Sequence, residues 1–303
     1  MIFHPQTDLH YVHVFPGTDV FREVYLCYKK ASERLPWMSA KFVATYEPEF
    51  WNRDIMLIFW HEFPYEIPAG RRSKIALRWT ESAGNGLQGD QASSLERFKQ
   101  VAPIPDLVLC GCPSVMDFVR PMVRRVGLHP IGYDPEIMGW PNWQCGKKYD
   151  VAFYGSPCAR RDEILGAVRK LLGDRFVLVN SFGMDRKAVL DQSRSVLYVG
   201  HSRERSFPGM RIWQAISSSA ALLTEERDAW PAVRGTHYVS LADPMRPNLP
   251  DTHSEYLGVF LARLERALAT GLGPIAQKAH DDLRAYTVER CMEYVVQASR
   301  DLR

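Results

Sequence analysis

Apolar residues along the chain fall into short runs, and the runs are separated by stretches of helical period. Residues 10–15 (HYVHVF) read as a first strand. Residues 20–35 follow with apolar side chains at Phe21, Val24, Tyr25, Tyr28 and Ala31, the spacing of one helix face. Further strands are expected at 41–45, 55–60, 74–79 and 107–110. A helix is expected at 115–126, and a strand-like piece leads to Gly132-Tyr133-Asp134-Pro135. Residues 136–148 carry Gly139, Trp140, Pro141, Asn142, Trp143 and Gly146 without a period, and this reads as a linker. The grammar then restarts. Strands are expected at 149–154, 176–179, 195–199, 221–224 and 237–241, and helices at 160–172, 186–192 and 210–218. Two helices close the chain, at 254–269 and 274–299.

Strands alternating with helices imply βα units around parallel sheets. The expected fold class is α/β, with two Rossmann-like lobes facing a cleft. The first lobe would span 1–138, the linker 139–148 and the second lobe 149–273. A C-terminal helix in 274–303 would be free to pack back on the first lobe. Ligands of such sheets sit beyond the C-terminal strand ends, so the loops after the strands are where chemistry is to be sought.

Composition narrows the class. The chain has 303 residues, 46% hydrophobic and 24% charged, enough apolar side chain for two cores. With 38 basic and 35 acidic residues the balance is nearly even. That is unlike a dedicated nucleic-acid binder and leaves room for a local basic site. The N-terminal stretch lacks the charged and apolar regions of a signal peptide, and the longest apolar run, residues 55–60, is too short to span a bilayer. Six scattered cysteines form no CxxC pair and no zinc quartet, and Cys110-Gly-Cys112 reads as core filling. The expectation is a cytoplasmic protein with no membrane span and no metal.

The richest stretch is residues 199–226, VGHSRERSFPGMRIWQAISSSAALLTEE. His201, Arg203, Arg205 and Arg211 are four potential cations that follow a strand and open a helix. Pro208-Gly209 precedes that helix, so the N–H groups of Gly209, Met210 and Arg211 are placed to meet an anion. Arginines would add charge-assisted bonds to a diphosphate. A solvated basic loop is the competing reading.

These residues resemble a known pattern. The second half resembles the donor lobe of GT-B glycosyltransferases, in particular the CgeB-like and group 1 families. Their opening D-V-x-F-x-G-S is matched by Asp150, Val151, Phe153, Gly155 and Ser156, and their paired arginines by Arg160 and Arg161. Their S-P-x-x-R-x-F-E-A-x-A-S-G-A-L-L-L-T-E is matched from Pro208 through Arg211 and Ala215 to Leu223, Thr224 and Glu225. Gly132-Tyr133-Asp134-Pro135 is similar to the family's end-of-first-lobe signature. The resemblance spans about 106–240, under half the chain. It implies that Gly155 and Ser156 lie near the donor phosphates or on the acceptor side, that Arg161 and Arg211 face the diphosphate, that Gln214 lies by the ribose, and that Thr224 and Glu225 lie near the base end or just behind it. It also implies a metal-independent reaction in which arginines and helix dipoles neutralise the leaving group. Two departures stand out: Gln214 replaces the family glutamate, and Ser219 replaces a family glycine.

In that plan the first lobe binds the acceptor. Glu62, His61 and Asp19 are candidates for the general base, because titratable groups follow the first and third strands. Gly17, Thr18, Glu81 and Ser82 are candidates for acceptor contacts. Trp51, Phe59, Trp60, Phe63 and Tyr65 would floor a sugar or base site, or fill core. The expected function is transfer of a sugar from a nucleoside-diphosphate donor, UDP favoured, to a hydroxyl of a glycan, protein, metabolite or modified DNA base. No cofactor beyond that co-substrate is expected. The alternative is a catalytically silent nucleotide-binding protein of the same fold, favoured by Gln214. No GxGxxG follows either opening strand and no GxxxxGK[ST] occurs, which argues against a dehydrogenase and a P-loop enzyme.

Overall fold

The computed structural model describes residues 8–14, 22–43, 46–60, 63–64, 66–79, 89–200, 209–225, 230–241 and 254–300. The chain divides into two compact units. One holds Met1–Ile137 and Tyr286–Arg303, the other Met138–Ala285.

The first unit is built on a six-stranded sheet of β1 (Leu9–Val14), β2 (Met38–Val43), β3 (Ile55–Phe59), β4 (Lys74–Arg78), β5 (Leu107–Cys110) and β6 (Val126–Leu128). Its order is β2-β1-β3-β4-β5-β6 and every pairing is parallel. β3 is IMLIF with all five residues buried, as expected of a strand covered on both faces. The helices are α1 (Arg22–Arg34), α2 (Gly89–Val101), α3 (Pro113–Val119), α4 (Pro135–Met138), which ends at the boundary between the units, and α10 (Val288–Arg300).

Three expectations differ here. β2 begins at Met38, not residue 41, because its pairing with β1 starts at Leu9↔Met38. The helix expected at 115–126 stops at Val119. A short 3-10 turn at Arg120–Met122 follows, and then β6, whose sheet partner β5 overrides local period. α2 was not anticipated, although Leu95 and Phe98 bury the spacing of a helix face.

The closing helix expected at 274–299 is two helices, α9 (Gly273–Leu283) in the second unit and α10 in the first. The chain re-enters the first unit by a short parallel pairing. Tyr133 N donates to Tyr286 O at 2.9 Å and Val288 N to Tyr133 O at 3.3 Å. Gly132 permits this approach. Its φ is 98°, and a Cβ there would lie 2.7 Å from Val288 Cα. Arg34 of α1 then ties both crossing segments, pairing with Asp134, Glu136 and Glu289.

The second unit carries β7 (Tyr149–Phe153), β8 (Phe176–Leu178), β9 (Ser193–Tyr198), β10 (Ala221–Thr224) and β11 (Tyr238–Ser240), all parallel, in the order β11-β10-β9-β7-β8. One face packs α5 (Ala159–Leu172) and α8 (Ser254–Ala269) on Val151, Phe153, Leu197, Val199 and Leu223. α6 (Gly183–Asp191), α7 (Met210–Ser217) and α9 pack beside one another against β9 and β10. Residues 139–148, expected as a linker, belong to this unit. Lys147 Nζ bonds Asp191 O at 2.8 Å and Ser219 Oγ at 2.9 Å, and Ser219 Oγ reaches Asn142 O at 3.0 Å. Among the described residues no helix is long and apolar enough to cross a membrane.

Candidate functional site

Strand order fixes where a site can form. In the second unit β7 comes first in sequence, β8 adds on one side and β9 on the other. The direction in which strands are added therefore reverses between β7 and β9, the switch point at which such a sheet forms its crevice, beyond the C-terminal strand ends. The backbone continues from β7 through Tyr154 to Gly155, Ser156 and Pro157, all three exposed. α5 begins just beyond, at Ala159.

Two guanidiniums meet at this point. Arg161, buried in the first turn of α5, donates from Nε to Val199 O at 2.9 Å and from Nη1 to Ser156 O at 2.8 Å. Arg211, in the first turn of α7, donates from Nη2 to Tyr154 O at 2.8 Å. Its guanidinium lies over the rings of Tyr154 (4.7 Å) and Tyr198 (4.8 Å). Gly155 sits between the two cations. Its φ is 147°, and a Cβ would meet Arg211 Nη2 at 2.8 Å and Arg161 Nη1 at 3.2 Å. Burial first, and then the charge of Arg211, push the Arg161 guanidinium below its ordinary value. An anion between the two would relieve that repulsion. Gly209, at φ 58°, caps the N-terminus of α7, so the first N–H groups of that helix add to the positive end.

A third arginine does a different job. Arg160 Nη1 and Nη2 grip Glu225 Oε1 and Oε2 at 2.9 and 2.5 Å, and Nη1 also donates to Gly200 O at 2.8 Å. Glu225 accepts further bonds from Gly200 N (2.5 Å) and the Tyr256 hydroxyl (2.7 Å). Consecutive arginines thus hold the consecutive carbonyls of Val199 and Gly200 at the end of β9.

The residues singled out from sequence sort as follows. Gly155, Ser156, Arg161, Gly209, Met210 and Arg211 come together at the crevice. Gln214 is buried one turn into α7, and Thr224 is fully buried at the end of β10. Glu225 differs from its expected place among the ligands, because both of its oxygens are taken within the protein. Tyr154 and Tyr198 were not anticipated. Tyr154 directly follows β7 and Tyr198 ends β9, and only strand adjacency brings them to one arginine. His201, Arg203, Arg205 and Pro208 lie outside the described residues. So do all the first-unit candidates: Asp19, Gly17, Thr18, His61, Glu62, Glu81 and Ser82. Of the aromatics expected to floor a site, Trp51, Phe59, Trp60 and Phe63 are core, at 1–6% exposure. Tyr65 lies outside the described residues. Trp60 stacks with Phe63 and Trp79 and donates to Ser94 Oγ at 2.7 Å.

Two Rossmann-like α/β units, each a doubly wound parallel sheet, define the GT-B architecture. Solved structures that share it include the pneumococcal O-GlcNAc transferase GtfA in complex with UDP and GlcNAc, with a TM-score of 0.55 and 10% identity over 82% of this chain and 57% of its own. The chain spans little more than half the length of that protein. Trehalose-6-phosphate from E. coli bound with UDP-2-fluoro glucose matches over 97% of this chain and 99% of its own, with a TM-score of 0.58 and 10% identity. An alpha-glucosyltransferase in complex with UDP-glucose and DNA containing an abasic site matches over 96% and 98%, with a TM-score of 0.53 and 7% identity. At these identities the likeness is one of fold. No protein-family model and no curated protein matches the sequence.

Proposed function

We propose that the protein is a nucleotide-sugar-dependent glycosyltransferase of the GT-B fold, akin to the CgeB-like and group 1 families, and that its second unit binds the donor diphosphate. The observation that carries this reading is the pair Arg161 and Arg211 on either side of Gly155, at the switch point of the sheet. The fold neighbours add support, since each of the three named above was solved with a uridine nucleotide or its sugar.

In this reading the donor diphosphate lies over Gly155 and Ser156, between the two guanidiniums and facing the N–H groups of Gly209, Met210 and Arg211. Gln214 lies on the ribose side. As the bond from the anomeric carbon to the diphosphate oxygen breaks, its electron pair leaves with the diphosphate. Arg161, Arg211 and the α7 dipole stabilise that growing charge, which is where fixed positive groups accelerate a reaction most. The acceptor hydroxyl oxygen bonds the anomeric carbon and gives its proton to a base of the first unit, for which Glu62, His61 and Asp19 are our candidates. Gly17, Thr18, Glu81 and Ser82 would contact the acceptor. Turnover carried by guanidiniums should persist in EDTA.

Arg211→Ala tests the assignment. It should weaken UDP binding about 10- to 100-fold, the loss of one charge-assisted contact, and leave uridine binding unchanged. Equal loss for both ligands would sink the diphosphate site. The second reading, a silent nucleotide-binding protein, is favoured by Gln214, which brings no charge where the family has glutamate. It predicts UDP binding without release of UDP from any UDP-sugar.

A further inference from the structure

The second unit holds a cavity that the diphosphate reading does not use. Its volume is about 300 Å³, and it opens at the N-terminal ends of β7 and β9, the end of the sheet opposite Gly155. Asp150 and Arg194, each the second residue of its strand, form one wall together with Arg175 from the turn before β8. Leu171, Leu172 and Leu268, from the last turns of α5 and α8, form an apolar floor, and Glu265 of α8 completes the lining. Asp150 opens the motif matched to the donor lobe, yet it stands apart from the donor crevice. The chain from Asp150 to Gly155 covers about 16 Å when extended.

Four ionised groups meet in this lining. Asp150 is buried and holds one guanidinium on each oxygen, with Arg175 Nη1 at 2.6 Å from Oδ2 and Arg194 Nη1 at 3.0 Å from Oδ1. Arg194 also donates from Nη2 to Leu268 O at 3.1 Å, which fixes it against the end of α8. Arg175 makes no further bond among the described residues, and its side chain is 62% exposed. A guanidinium carries five N–H donors, so most of those on Arg175 stay open while Asp150 fixes their direction. Glu265 is exposed and pairs with no cation among the described residues. The four charges sum to zero, but the signs are separated: positive charge is in excess around Asp150, and Glu265 is a negative group across the leucines.

This arrangement narrows the ligand. Small-molecule sites run from about 300 to 1,000 Å³, so a cavity of this size takes a small molecule. That molecule has to meet open donors, an open carboxylate and a leucine floor together. A simple anion leaves Glu265 unused, and a hydrocarbon leaves both charges unused. A nucleotide brings several negative charges against Asp150 and Glu265. A zwitterion with an aliphatic side chain meets all three features.

We propose that this cavity is a second ligand site, separate from the diphosphate crevice, and that it takes a free amino acid with an aliphatic side chain. The carboxylate of the ligand accepts from Arg175, its ammonium group donates to Glu265, and its side chain covers Leu171, Leu172 and Leu268. The site stands whether or not the second unit binds a nucleotide.

The test is an NMR titration of the full chain with leucine, followed at the backbone amides of Arg175, Arg194 and Glu265, in wild type, Arg175→Ala and Glu265→Gln. Leucinamide lacks the carboxylate, 4-methylpentanoate lacks the ammonium group and glycine lacks the side chain, and all three are titrated alongside. Leucine should shift those amides to saturation and leave the amides of Gly155 and Arg211 in place. Each comparison compound should bind at least about tenfold more weakly, and each substitution should weaken leucine about 10- to 150-fold, the range for loss of a hydrogen bond between charged groups. Arg175→Ala leaves Asp150 paired with Arg194, so the fold should persist, which unchanged amide positions elsewhere in the chain verify. No shift with leucine at millimolar concentration overturns the site. Equal affinity for 4-methylpentanoate overturns the zwitterion, and equal leucine affinity in all three proteins overturns the assignment to this cavity.

Discussion

Replacing Glu225 by alanine removes the carboxylate that joins β10, the end of β9, α5 and α8. The loss can be scaled from the geometry. The Arg160 and Glu225 side chains are 10% and 7% exposed, so the pair belongs to the buried regime and not to surface pairs worth about 0–1 kcal/mol. Deleting one partner of a buried pair leaves the other charge uncompensated, at a cost of about 3–5 kcal/mol. The Gly200 N–H and the Tyr256 hydroxyl lose their acceptor in the same step. Hydrogen exchange isolates the second unit from the first, because the slowest amides of β9 and β10 report its own unfolding. A loss of this size should speed their exchange about 100- to 4,000-fold, while the amides of β3 and β4 keep their rates. Glu225→Gln, which keeps an acceptor but not the charge, should fall between. A less than tenfold change for Glu225→Ala would mean that water already screens this pair, and the reasoning from burial would be wrong.

Gly155→Ala should weaken UDP binding at least about tenfold, because a methyl group there displaces the tips of both arginines and φ 147° disfavours a side chain. Unchanged titration curves would count against a site at this turn. Ser219 holds φ 49°, which costs a non-glycine residue about 1–2 kcal/mol, while its hydroxyl bonds Lys147 and Asn142. Ser219→Ala keeps the strain and loses the bonds, so chemical denaturation should find it about 1 kcal/mol or more less stable than Ser219→Gly; the reverse order would refute this. Burial, then the charges of Arg53 and Lys41, hold the pKa of His10 at about 4 against 6.5 when unfolded. The unfolded state therefore takes up the proton first. The stability His10 contributes is present above pH 6.5 and lost as pH falls towards 4. The urea midpoint of the first unit should drop over that window, and less in His10→Gln; equal drops in both proteins would exclude His10 as a cause.

Much of the fold was legible in the chain. Runs such as IMLIF and LVLC, each followed by a turn or a helical period, mark strands buried on both faces, and their alternation with helices marks parallel sheets. Gly155 and the helix start at Gly209–Arg211 were legible as well, because backbone N–H groups at a helix N-terminus and a flexible glycine have the same use in any fold. Elements whose bounds depend on a partner were only partly legible. The strand-like piece before Gly132 is β6, but its start at Val126, inside the expected helix, is set by pairing with β5, and α10 separates from α9 because the chain re-enters the first unit between them.

The site divides in the same way. Sequence alone determined that arginines follow the strands of the second half and that a glycine turn lies among them. Only tertiary structure decided which arginine does what. Arg160 and Arg161 are adjacent in the chain, yet one is consumed by Glu225 and the other faces Arg211. Tyr154 and Tyr198 carried no signal, because what brings both to Arg211 is the adjacency of β7 and β9, strands separated in sequence by β8. A helix period or a turn is set by a few neighbouring residues and is written in their order. A cluster of side chains gathered from two neighbouring strand ends and a helix start is set by the sheet order, which no local stretch of sequence contains.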